Sequence, residues 1–186
     1  MKYSISRLVL PLLVAALFST DVLADTDEQT GIGIALGLGP SNIEDEDAPG
    51  DTFDGDDLGW NVDVEWRFIR HLAVGVNWTS LGEATDDFNG TETTIGVDGI
   101  GLYVRGYLPV TSRLTLHARY GETNYNVDID PGTDTLFPFS DSAKDLGIGG
   151  DYAVNENLAV RLEARWLDGP SQEAGSLASI GLRWQF

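Results

Sequence analysis

The sequence predicts an all-β fold: an eight-stranded antiparallel up-and-down transmembrane β-barrel. Three observations predict it. Apolar and polar residues alternate with period two through eight separate runs, as in LAVRLEARW, Leu158 to Trp166. The connections between runs are alternately tight and long, and the long ones are acidic. The apolar face of the runs carries all five tryptophans, while the opposite face carries the charges. Bulky apolar and aromatic side chains outside, with polar ones inside, is the arrangement of a barrel immersed in lipid.

The first residues read as an export signal. Lys2 and Arg7 precede an apolar run, LVLPLLVAALF (Leu8 to Phe18), and Val22-Leu23-Ala24 supplies a cleavage site. The run is shorter than the ~20 residues a membrane-spanning helix needs. Residues 1–24 are therefore expected to be a signal peptide, and 25–186 the barrel domain.

The eight runs lie at about 30–39, 57–69, 71–82, 94–108, 113–121, 143–154, 158–167 and 175–186. Runs two and three meet at Arg70-His71, four and five between Pro109 and Ser112, six and seven between Asn155 and Asn157. These are hairpin turns. The other connections are EDEDAPGDTFDGDD, EATDDFNGTET, TNYNVDIDPGTDTLFPFSD and DGPSQEA, which contain no Lys or Arg. Short turns at one end and long loops at the other are an outer-membrane pattern, and closure of the eight strands removes every sheet edge.

Each run has an apolar even face. It begins with Ile32, Ile34, Leu36 and Leu38, and continues with Trp60, Val62, Val64, Trp66 and Phe68. Later runs add Val74, Val76, Trp78, Ile100, Leu102, Val104, Tyr120, Ile148 and Leu162. The odd face carries Asp63, Glu65 and Arg67, then Arg105, Arg119, Asp145, Asp151, Arg161, Glu163, Arg165 and Arg183. Trp60 and Trp66 are six residues apart on one run, so they stand roughly 20 Å apart, close to the height of a membrane barrel's apolar band.

Composition narrows the function. The chain has 186 residues, enough for one domain, and no cysteine, so burial or a membrane must stabilise it. A formal charge of −19 argues against nucleic acid as a partner.

Three hairpins and the C-terminus together resemble the outer membrane protein A type transmembrane domain and the small outer-membrane barrels around it. GWNVDVEWRFIRHLAVGVNWTSLGE (59–83) is similar to that domain's second hairpin, including an aromatic-x-x-Leu-Gly ending at Trp78, Leu81 and Gly82. GLYVRGYLPVTSRLTLHARYGETNYNVDID (101–130) resembles its middle hairpin and DLGIGGDYAVNENLAVRLEARWLD (145–168) its third. SIGLRWQF resembles the signal read by the outer-membrane assembly machinery, with Phe186 after Ile180, Leu182 and Trp184. The resemblance implies a barrel in the outer membrane of a Gram-negative bacterium. It further implies insertion that depends on Phe186. The chain ends at Phe186, so the peptidoglycan anchoring of larger relatives is not expected.

Candidate chemistry is sparse. GIGIALGLG fails as a dinucleotide fingerprint, because Leu36 stands where glycine is required. Gly31, Gly33 and Gly37 are instead expected to leave room for long side chains inside a narrow barrel. A lipid-modifying enzyme would need a nucleophile beside a base, and the two histidines, His71 and His117, have no serine two residues away. No catalytic residue, cofactor or metal site is assigned. DTFDGDD (51–57) and DIDPGTD (128–134) are acidic enough for calcium but lack EF-hand spacing. Weak cation bridging from the loops to lipopolysaccharide is the milder expectation, and Phe53, Phe88, Phe137 and Phe139 are expected to pack the loops together.

The eleven inward charges form the candidate site. An unpaired charge in a narrow interior is costly, so they are expected to form a structural ion-pair network, with Glu163 satisfying Arg161, Arg165 or Arg119. The expected protein is a monomeric outer-membrane barrel with a structural or surface role, surrounded by lipid and lipopolysaccharide, and at most a narrow gated channel. The alternative is a periplasmic soluble barrel with reversed faces that holds a hydrophobic ligand; recovery from the aqueous periplasm without detergent distinguishes the two.

Overall fold

Eight antiparallel strands follow one another in chain order, each hydrogen-bonded to the next. They are β1 (Gly31–Ala48), β2 (Asp51–Ile69), β3 (Leu72–Phe88), β4 (Thr91–Pro109), β5 (Leu114–Asp130), β6 (Phe137–Ala153), β7 (Leu158–Asp168) and β8 (Ala174–Gln185). β1 also pairs with β8, with Ile34 opposite Trp184 and Leu36 opposite Leu182, so the sheet closes into a barrel. This computed structural model describes residues 30–48, 51–88, 91–130, 137–169 and 174–186. The expected signal peptide lies outside the described residues.

The expected faces hold through the half of the barrel nearest the short turns. None of the apolar even-face residues is buried, and Leu36, Trp66, Ile100, Leu102 and Leu182 are all more than half exposed. The odd-face charges are 0–6 % exposed. The reversed-face soluble barrel does not fit this half of the molecule. Aromatic residues ring it at two levels: Trp66, Phe68, Tyr152, Trp184 and Phe186 near the short turns, and Trp60, Trp78, Tyr120 and Trp166 further along. Trp60 and Trp78 meet edge to face, 5.2 Å between centroids.

The strand boundaries differ from those expected. Six strands have 17–19 residues, whereas a tilted strand crosses the membrane in about 9–11. Most of the first three long acidic connections is strand that continues beyond the membrane, whereas 168–174 adds only Asp168 and Ala174 to strands. The side-chain polarity exchanges sides where it does so. Past Trp78 comes buried Ser80; before Ile100 stands exposed Asp98; past Tyr120 comes exposed Glu122; past Trp166 comes exposed Asp168. Inside, the charges give way to Ile43, Leu81, Ala84, Ile95, Val97, Tyr125, Val127, Ala143, Leu167 and Leu177, which pack as one apolar cluster. In water the ordinary rule returns, with apolar side chains inward and polar ones outward.

β3 reaches this arrangement through a bulge. Its register on β4 shifts between Ser80 and Gly82, and Gly82 has φ +82°. A left-handed residue at a bulge is favoured as glycine. The extra residue, Leu81, changes which positions face inward: odd-numbered Ala73, Asn77 and Thr79 before it, even-numbered Ala84 after.

Candidate functional site

The candidate site occupies the lumen within the apolar band. β2 contributes Asp63, Glu65 and Arg67, and β4 contributes Tyr103, Arg105 and Tyr107. β5 supplies His117 and Arg119; β6 supplies Asp145 and Asp151; β7 supplies Arg161, Glu163 and Arg165; β8 supplies Arg183 and Gln185. All point inward because odd positions do so on these strands, and glycines opposite leave the space. A Cβ on Gly33 would lie 3.3 Å from both Glu65 and Arg183, and one on Gly37 would lie 2.6 Å from Asn61. Gly75 similarly accommodates the Tyr103 ring.

Arg105 is the hub. Its guanidinium lies 2.8 Å from Glu65, 3.0 Å from Asp63 and 2.9 Å from Glu163. Arg119 bridges Asp145 at 2.7 Å and Asp63 at 3.2 Å, and donates to Asn77 Oδ1 at 2.9 Å. Arg165 donates to Asp145 and to Thr79 Oγ1, each at 2.6 Å. Nearer the short turns, Arg161 grips both oxygens of Asp151, at 2.7 and 2.9 Å. Arg183 donates to Glu65 at 2.9 Å and to Gln185, and Tyr107 donates to Glu65. The Tyr103 ring lies under Arg119, 3.9 Å from the guanidinium carbon, and the Tyr107 ring lies under Arg67 at 3.7 Å.

Ten of the eleven expected charges thus meet an opposite charge, and Arg67 is the exception among the described residues. Glu163 reaches one of its three expected partners, Arg119, and a closer one that was not expected. Its near partner is Arg105, with Arg119 at 3.9 Å, while no ion pair joins it to Arg161 or Arg165. Residues two apart on a strand point the same way side by side, whereas the narrow lumen brings opposite walls within reach. Tyr107, Asn77, Thr79 and Thr123 also belong to this polar layer. Their inward parity was a usable signal, but they carry no charge to attract notice.

The two histidines occupy different settings. His71 lies in the β2–β3 turn, its Nδ1 3.1 Å from the Tyr107 carbonyl oxygen. His117 is buried 3.6 Å from Asp151, and neither ring nitrogen has a hydrogen-bond partner among the described residues. The aromatic side chains of Phe53, Phe88, Phe137 and Phe139 lie outside the described residues, as do parts of 51–57 and 128–134. Ile180, Leu182 and Trp184 of β8 and Phe186 just after it form one exposed outward row.

Residues 10–186 match the family model described as the outer membrane protein beta-barrel domain. The chain belongs to that family. No curated protein matches it significantly in sequence. Among solved structures of outer-membrane barrels it is similar to Neisserial surface protein A (NspA), with TM-score 0.67 and 14 % identity over 84 % of this chain and 98 % of that one. OprG from Pseudomonas aeruginosa gives 0.59 and 12 %, covering 86 % and 100 %. Ail, the attachment invasion locus protein of Yersinia pestis, gives 0.57 and 11 %, covering 84 % and 99 %. These identities establish a shared barrel, and the protein is an outer-membrane β-barrel.

Proposed function

We propose that this outer-membrane barrel is a closed structural and surface element, which supports envelope integrity and presents its extended outer strands for contact, with at most a narrow gated path through it. One observation carries the reading: a layer of interlocked Arg–carboxylate pairs fills the lumen within the membrane, and an apolar cluster sits above it. Eight strands enclose little more than side chains. Ail has also been solved with the heparin analogue sucrose octasulfate. Here the outer connections are acidic and lack Lys and Arg, so a polyanion of that kind would be repelled. Loop contact therefore favours neutral or cationic surfaces, including cations shared with lipopolysaccharide phosphates. The outward row ending at Phe186 suits recognition by the assembly machinery, after removal of residues 1–24. Nothing catalytic is assigned to the barrel.

Planar-bilayer recording on the folded, purified protein tests the closed reading. The expected record has no large steady conductance, and at most small intermittent openings. Large, stable channels from single barrels would overturn it.

A further inference from the structure

The interior charges do not cancel. Six arginines face five carboxylates, and the surplus cation can be identified. Arg105, Arg119, Arg161, Arg165 and Arg183 each lie within 3.0 Å of a carboxylate oxygen. Among the described residues, no carboxylate lies within 4.0 Å of Arg67. Yet Arg67 is only 6 % exposed, and its Nε is buried without a hydrogen-bond partner. The Tyr107 ring beneath it, 3.7 Å away, is shared with a second cation, Arg183, at 5.7 Å.

Arg67 also lines a cavity of about 130 Å³ at the short-turn end of the barrel. Arg113, from the β4–β5 turn, is on its wall with Arg70 and Arg183, as are two acidic residues, buried Asp151 and exposed Glu156. Asp151 does not neutralise Arg67, because both of its oxygens are held by Arg161. A space of this size would hold roughly four waters or one tetrahedral oxyanion. A buried guanidinium without a counter-charge is costly, and its planar N–H fork matches phosphate and carboxylate oxygens. We propose that this cavity is a binding site for a small oxyanion of the phosphate or carboxylate class, held by Arg67 with Arg113 as a second, exposed donor.

Inorganic phosphate is the first probe, titrated against chloride at constant ionic strength into the folded barrel in neutral detergent. The thermal midpoint should rise by about 3 °C at ten times Kd. Arg67→Gln should abolish the rise, and Arg113→Gln should raise Kd about tenfold. Because Arg113 is exposed in a turn, its variant carries the test if Arg67→Gln fails to fold. Acetate in place of phosphate reports whether a carboxylate suffices. The source is separated by nanodiscs without free phosphate: a rise in phosphatidylglycerol over phosphatidylcholine, lost in Arg67→Gln, assigns a lipid headgroup. A rise on adding phosphate to phosphatidylcholine discs assigns the free ion. A midpoint indifferent to phosphate and to lipid charge overturns the proposal, as does a response that both variants retain.

Discussion

Arg105 is fully buried and meets three carboxylates, and each of those carboxylates serves another arginine as well. Removing one member of such a set leaves a buried charge less well compensated, which typically costs about 3 kcal/mol or more. Glu163→Ala is therefore expected to lower the thermal midpoint in detergent by roughly 10 °C. Glu163→Gln keeps the shape and one acceptor for Arg105, and should lower it less. An unchanged midpoint in the alanine variant would remove Glu163 from the network. The sequence made the membership of this layer legible, because an odd-numbered charge on an alternating strand faces the lumen. It did not make the partners legible. Parity assigns a face, whereas Arg105 reaches Glu163 from a strand three places away, and only barrel closure brings those walls together.

At the scale of single elements, β3 shows where the period-two reading stops being sufficient. The bulge at Gly82 separates β3 from β2, whose paired register ends at Trp60 opposite Ser80. Asp57 bridges the gap from β2, accepting a hydrogen bond from the Glu83 backbone N–H at 2.6 Å. This hydrogen bond, and one from the Leu58 backbone, hold the Asp57 carboxyl below its ordinary value of 3.8. The folded-state value is lowered, so the stabilisation is present above the ordinary carboxylate range. It is lost as pH falls through the lowered value. The Glu83 amide resonance should accordingly shift with a midpoint below 3.8. Asp57→Asn, which keeps an acceptor but cannot titrate, should abolish the shift; persistence of the shift in that variant would place the titrating group elsewhere. The sequence displayed the Leu81-Gly82 pair, yet acidic residues around it disguised the remainder of β3 as loop. A fixed rule of apolar outward cannot follow a strand that leaves lipid for water, where Glu83 and Thr85 face out and Ala84 faces in.

Over the whole molecule the proposed closure consists of two layers in series along the lumen. Ion pairs fill it within the membrane, and side chains from β1, β3, β4, β5, β6, β7 and β8 fill it beyond with an apolar cluster. Apolar packing excludes ions as effectively as paired charges do, since an ion entering it loses its hydration. Weakening one closure alone should therefore leave the path shut. Glu163→Ala is expected to remain silent in a planar bilayer, although it is destabilised. Leu81→Ala with Leu177→Ala should also be silent, because two small cavities in the cluster do not disturb the Arg105 and Arg119 pairs beneath. Both leucines are 2 % exposed, and each truncation is expected to cost about 2–5 kcal/mol, so folding must first be verified by the heat-dependent mobility shift of the barrel on a gel. The three changes combined should produce small, intermittent openings more often than the sum of the two separate records. Frequent openings from Glu163→Ala alone would show that the apolar cluster is no barrier, and would leave the ion pairs as the sole closure of the barrel.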